Sequence, residues 1–417
     1  MTSKLFFKST LLFFSLLIVS CGSSKNAVVP KSSFTEYPIT NTATVDEAVL
    51  KTGAENFYAY LPLLEKKRVG IVTNQTGILS KNVHLVDFLL EQDINLQKIY
   101  APEHGFRGTA DAGELIVDGK DSKTGLPIIS LYGNNKKPKP DQLEGIDIMI
   151  FDLQDVGARF YTYISSLHYV MEACAENNIA LVVLDRPNPN GGIIDGPILE
   201  KENTSFIGMH EIPVLHGMTI GEYAQMINGE KWLKPSTASE QVIQCDLKVI
   251  PCLNYKRSMQ YNLPVKPSPN LPNAQSINLY ASLCFFEGTN VSVGRGTDKQ
   301  FQIYGSPFLP ESEFDFSFTP KPNEGAKDPM HNGTLCYGED LSKVRKVSKL
   351  ELKWLLKAYN ETSDKSKFFT SFFTKLAGTK KLQEQIEAGM TEKEIRSSWQ
   401  KGLEEFKKMR EKYLIYE

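Results

Sequence analysis

Beyond its first twenty residues this sequence has no segment apolar enough to cross a membrane, which argues against a bundle of spanning helices. Cysteine is scarce and unpatterned. Besides Cys21 there are Cys174, Cys245, Cys252, Cys284 and Cys336. An odd number without CxxC spacing argues against a disulfide framework or zinc ribbon and for buried free thiols, with Cys245–Cys252 the one pair worth considering. The six histidines form no HxH or HExxH, so no metal site is expected. A serine nucleophile lacks its GxSxG. No GxGxxG or GxxxxGKS/T follows the first strand, which argues against a dinucleotide or P-loop nucleotide, and no cofactor is expected. Positive charge is not in excess either. With Lys4 and Lys8 removed from 47 basic residues, 45 stand against 49 acidic ones, and nucleic acid is not an expected partner. No internal repeat is present.

What is present begins at the N-terminus. Lys4 and Lys8 precede an apolar run, Leu11 to Val19, broken only by Ser15, and Ser20 stands directly before Cys21. The run is too short for a permanent span and has the form of a bacterial lipoprotein signal, residues 1–20, cut before a lipid-carrying Cys21. Residues 21–48 are rich in Ser, Thr, Asn and Pro without periodicity and read as a tether. Gly22-Ser23-Ser24 carries no inner-membrane retention signal, so the expected location is the periplasmic side of the outer membrane. The remaining length suggests two domains, 49–255 and 256–417.

From about residue 66 strands and helices alternate. Short apolar runs at 68–73, 96–101, 146–153, 179–184 and 247–251 read as strands, and 83–92, 160–177 and 219–228 as helices. That order implies a Rossmann-like parallel sheet covered on both faces, with ligands at the carboxyl ends of its strands. Polar clusters fall there: Asn74 and Gln75, Glu103 and His104, Gln154 and Asp155, and Asp185, Arg186 and Asn188. Past residue 255 a Pro-rich connection (266–272), a glycine-punctuated loop (286–297) and helices at 349–360, 366–376, 380–388 and 393–413 suggest a smaller α+β domain with a cleft against the first.

Several blocks together resemble a known family. They are Val72-Thr-Asn-Gln-Thr-Gly77, Ala101-Pro-Glu-His-Gly-Phe-Arg-Gly108, Thr124-Gly-Leu-Pro127 with Ser130-Leu-Tyr-Gly133, and Phe151-Asp-Leu-Gln-Asp-Val-Gly-Ala-Arg-Phe-Tyr-Thr-Tyr163. Leu184-Asp-Arg-Pro-Asn-Pro189, His216-Gly-Met-Thr-Ile-Gly-Glu222, Pro267-Ser-Pro-Asn270, and Glu287-Gly-Thr-Asn290 with Gly294-Arg-Gly-Thr297 complete them. The resemblance is to the family long catalogued as domain of unknown function 1343, now associated with exo-acting β-N-acetylmuramidases (glycoside hydrolase family 171). It implies a Rossmann-like domain plus a smaller C-terminal one, and release of non-reducing-end MurNAc from peptidoglycan-derived MurNAc–GlcNAc glycans. Lys266-Pro267 departs from the expected Trp-Pro, and Asp298 to Phe301 from the usual Pro-Phe.

Glycoside cleavage needs a carboxyl group to protonate the leaving oxygen and a second group as nucleophile or base. Glu103, in a turn at a strand end, is the candidate acid, with His104 orienting it. Glu172, on the helical stripe Tyr161, Ser165, His168, Glu172, competes with Asp155 and Glu287 for the second role; Asp152 reads as structural. Arg107, Arg159, Arg186 and Arg295 are candidate partners for the lactyl carboxylate of MurNAc. Asn74, Gln75, Gln154, Asp185, Asn188, Asn270 and Asn290 offer polar contacts to a sugar, and Tyr161 and Tyr163 offer rings to it. The expected partners are cell-wall glycan fragments and, through the N-terminal lipid, a membrane. The alternative is a non-catalytic lipoprotein that binds such fragments.

Overall fold

The computed structural model describes residues 49–106, 118–235 and 242–417. Cys21, the signal and the tether lie outside them, as does Arg107. The elements in order are α1 (Phe57–Leu64), β1 (Val69–Thr73), α2 (Leu85–Glu91), β2 (Leu96–Ala101), β3 (Gly119–Lys120), β4 (Pro127–Ser130), α3 (Pro140–Leu143), β5 (Ile148–Asp152), α4 (Tyr163–Glu176) and β6 (Ala180–Leu184). There follow β7 (Ile194–Asp195), β8 (Leu215–His216), α5 (Ile220–Gly229), β9 (Leu247–Ile250), α6 (Ala274–Leu283), β10 (Ile303–Ser306), β11 (Phe316–Phe318), β12 (Cys336–Asp340), α7 (Lys353–Glu361), α8 (Phe372–Ala377), α9 (Lys381–Glu387) and α10 (Glu392–Glu411).

The main sheet runs β3-β4-β2-β1-β5-β6-β9, parallel except for the edge strand β3. Its six parallel strands have the Rossmann order 3-2-1-4-5-6, whose switch point lies between the first and fourth, here β1 and β5. The apolar runs explain why these strands are central. Every residue of β1, β5 and β6 is buried, and alternate side chains serve opposite faces. Ile71, Ile148, Ile150 and Val182 pack with α1 and α2, whereas Val72, Met149, Phe151, Leu181 and Val183 pack with α4 and α5. The second core continues without a break into the C-terminal part, through Tyr280, Phe285, Leu355, Trp399 and Phe406. That part carries the antiparallel sheet β10-β12-β11 and helices α7 to α10.

Two elements beside the site depart from the sequence expectation. β4 is a short, half-buried strand opened by a proline, too brief to show a pattern. In α6 every residue from Ser276 to Leu283 is buried, so polar Ser276, Asn278 and Ser282 interrupt any apolar stripe. Its start is nevertheless marked in the sequence: Asn273 caps the helix by accepting from the Ser276 N–H.

Candidate active site

The turn after β2 carries Glu103 into a cleft between the Rossmann-like body and the C-terminal part. Glu103 Oε1 accepts from Tyr132 Oη at 3.0 Å and Oε2 from Thr162 Oγ1 at 3.0 Å. Tyr132 comes from the end of β4 and Thr162 from the entry to α4, so two separate elements fix the carboxyl plane. The next residues, His104 and Gly105, both have φ of 72°, and the buried His104 adopts this left-handed conformation despite its side chain. The cleft is lined by Glu103, His104 and Phe160 to Tyr163 on one side, with Ser268 and Asn270 from the connection. Tyr280, Cys284, Glu287, Arg295 and Phe301 line the other wall.

Loops at the switch point build its floor. Asn74, after β1, donates through Nδ2 to Tyr163 Oη at 2.6 Å, while its Oδ1 accepts from the N–H and hydroxyl of Thr76. Tyr161 donates to the Pro267 carbonyl at 2.9 Å. Burial pushes both phenols' pKa up, and the charge of Asp155 adds to it for each, so they stand as neutral hydrogen-bonding groups. Opposite, Arg295 Nε donates to Glu287 Oε1 at 2.7 Å, Cys284 Sγ approaches Oε2 at 3.4 Å, and the guanidinium lies 5.2 Å from the Phe301 ring centre.

Of the residues expected at the site, the structure thus gathers Glu103, His104, Tyr161, Tyr163, Asn270, Glu287 and Arg295 at one cleft. The other described ones lie elsewhere. Glu172 sits outside the cleft lining, held by Lys137 Nζ at 2.8 Å and the Lys234 N–H at 3.1 Å. Burial would raise its pKa, but the His168 and Lys137 contacts prevail and lower it. Asp155 is buried behind the tyrosines, accepting from the Gly157 N–H at 2.6 Å. Gly157 has φ of 77°, and the Asn188 amide occupies the space a Cβ would need. Asn188 itself is engaged by Met218 and Asn190, and Gln154 by the carbonyls of Asp155 and Pro187. Gln75 donates to the Lys266 and Pro267 carbonyls and so fastens the connection. Asn290 is not a lining residue; its backbone carbonyl accepts from His331 and Ser306.

The arginines separate most clearly. Arg186 is buried against Asp152, at 2.6 and 3.0 Å, so Asp152 has the structural role expected of it. Arg159 is fully buried and donates to four backbone carbonyls, of Pro197, Ile212, Leu376 and Ala377. Burial pulls its pKa down to about 9, against the opposing charge of Tyr223. It staples α8 to the Rossmann-like body and does not line the cleft. Asp185 is buried at the start of α5, accepting from Gly221 N–H, Thr219 Oγ1 and Tyr416 Oη. Tyr132, Thr162, Tyr280 and Cys284 were not singled out as site residues in the sequence. Tyr132 and Thr162 lie inside the family-like blocks, which was the available signal.

All five described cysteines are buried and free. Among the described residues no three His, Cys, Asp or Glu side chains gather as metal ligands would, and no helix is long and apolar enough to cross a membrane.

Comparison with known proteins gives this geometry its context. Residues 69–275 match the N-terminal model of the exo-β-N-acetylmuramidase NamZ and residues 278–416 its C-terminal model. The chain belongs to the NamZ family. It is 40% identical over 408 residues to the peptidoglycan β-N-acetylmuramidase NamZ of Bacillus subtilis strain 168, spanning 91% of this chain and 94% of that one. Two crystal structures of DUF1343 family proteins from Bacteroides fragilis share the fold. One is 43% identical with a TM-score of 0.80, covering 89% of this chain and 99% of its own. The other is 30% identical with a TM-score of 0.75, covering 88% and 99%.

Proposed function

We propose that this NamZ-family chain is an exo-acting β-N-acetylmuramidase, a glycoside hydrolase that releases non-reducing-end MurNAc from peptidoglycan-derived MurNAc–GlcNAc glycans in cell-wall turnover and recycling. Family membership over nearly the whole chain supports the activity. The observation that carries the chemistry is Glu103, a carboxyl group in the cleft with each oxygen held by a hydroxyl. In this reading Glu103 is the group that transfers a proton to the leaving glycosidic oxygen. Tyr132 and Thr162 suit that work because a hydroxyl donates to a carboxylate and can rotate to accept from a carboxylic acid. Tyr161, Tyr163 and Asn270 line the cleft beside Glu103, where the sugar would lie.

The proposal includes the N-terminus: a signal over residues 1–20, lipid on Cys21, a tether over 21–48, a catalytic domain over 49–255 and an auxiliary domain over 256–417. The chain is then exported and held at the periplasmic side of the outer membrane, within reach of glycan fragments.

The test is incubation of the purified chain with a chromogenic β-MurNAc glycoside and with its β-GlcNAc counterpart. Release from the MurNAc substrate alone is expected. Release from the GlcNAc substrate alone, or from neither, sinks the reading.

A further inference from the structure

MurNAc differs from GlcNAc by a lactyl ether that ends in a carboxylate, so a site that prefers it needs a cation fixed at one point of the cleft. Of the other arginines named as candidates, Arg186 is committed to Asp152 and Arg159 to four carbonyls, and Arg107 lies outside the described residues; Arg257 and Arg396 are likewise committed, to Glu222 and Asp195. No lysine lines the cleft among the described residues, and Arg295 does. Its guanidinium is held in one plane by two contacts, Nε to Glu287 Oε1 at 2.7 Å and the Phe301 ring at 5.2 Å. Its Nη1 and Nη2 groups are bonded by no described residue, and about a quarter of the side chain (24%) is exposed. A planar fork with its far edge open is the geometry that receives a carboxylate through two parallel N–H···O bonds.

We infer that Arg295 is the specificity-determining residue that binds the lactyl carboxylate, and that Glu287 and Phe301 are its positioning residues. The inference rests on the muramidase reading and deepens it. It also assigns Glu287, whose two oxygens are taken by Arg295 and Cys284, to orientation of the arginine rather than to attack on the anomeric carbon. An incoming carboxylate is repelled by Glu287, but it meets the Nη edge at hydrogen-bonding distance while Glu287 lies beyond the guanidinium. The nearer charge therefore prevails.

Calorimetric titration with free MurNAc and with its lactyl methyl ester tests this, on the wild-type chain, Arg295→Met and Arg295→Lys. The wild type is expected to prefer MurNAc over the ester by about tenfold or more, the scale of a charge-assisted bidentate contact. Arg295→Met is expected to bring that ratio near unity, and Arg295→Lys to leave an intermediate one, since it keeps the charge without the fork. Should Arg295→Met not fold, as judged by thermal unfolding, the lysine variant decides: an undiminished ratio there contradicts the role of the fork. A wild type that binds both sugars equally, or an Arg295→Met variant that keeps the wild-type ratio, overturns the inference while leaving the muramidase reading standing. A wild type that releases nothing from the β-MurNAc glycoside and binds neither sugar overturns both.

Discussion

Tyr416, next to the last residue, tests how the C-terminal part is clasped to the sheet. Its hydroxyl donates to Asp185 Oδ2 at 2.6 Å and accepts from the Cys252 N–H at 2.8 Å. Tyr416→Phe removes both bonds and keeps the ring. Losing a bond to a charged group costs about 1.5–3 kcal/mol and leaving a buried N–H unpaired about 1–3 kcal/mol. Because the ring is only half-buried, we expect a total of about 2–4 kcal/mol, or on the order of 5 °C in Tm for a chain of this size. The loss also depends on pH. Burial, reinforced by the Glu222 charge, raises the Asp185 pKa from 3.8 to about 7 against the hydrogen bonds from Tyr416, Thr219 and Gly221. A raised folded-state pKa contributes stability that is fully present below the unfolded value and lost as pH climbs through 7. That contribution is at most about 4 kcal/mol. Removing Tyr416 raises the folded pKa further, so the variant's deficit is larger at pH 8 than at pH 5. Urea unfolding at both values measures it. A deficit below about 0.5 kcal/mol at pH 8, or one that shrinks as pH rises, refutes the clasp.

Three further predictions concern the site and its support. Glu172→Gln, outside the cleft, should leave kcat on a β-MurNAc glycoside within about threefold while lowering Tm through the weakened Lys137 pair; a loss of about a hundredfold or more would return Glu172 to the chemistry. Tyr132→Phe and Thr162→Val should each lower kcat several-fold, roughly, with little change in KM, and the double variant should depart from additivity because both hydroxyls hold one carboxyl group. Additive losses confined to KM would count against that grip. Arg159→Met leaves four buried carbonyls unpaired and should destabilise by more than about 3 kcal/mol in urea unfolding. A neutral effect would mean that the staple contributes nothing.

Much of the Rossmann-like body was legible because β1, β5 and β6 are buried on both faces and therefore written as continuous apolar runs. The polar strand ends were legible for the same reason, since each interrupts such a run. Which of those polar groups face the cleft was not. Arg159 and Arg295 are the same residue type in equally glycine-marked segments, but the acceptors of Arg159 include Leu376, 217 positions away. Asp152 and Arg186 meet across 34 positions. Such pairings arise only when the sheet assembles and the C-terminal part closes on it, so local pattern carries no trace of them. Glu172 shows the same limit: its four-residue spacing from His168 places both on one helical stripe, but spacing does not tell that Glu172 meets Lys137 and the Lys234 backbone, outside the cleft lining.

The most direct measurement is kcat of Glu103→Gln on a β-MurNAc glycoside, with thermal unfolding and MurNAc titration confirming that the variant folds and binds. Glutamine keeps the shape of the side chain and one acceptor oxygen but cannot transfer the proton, and kcat should fall by about 10²–10⁴ with sugar affinity retained. A folded, sugar-binding Glu103→Gln chain that turns over within about threefold of wild type would contradict the assignment of Glu103 as the proton-transferring group.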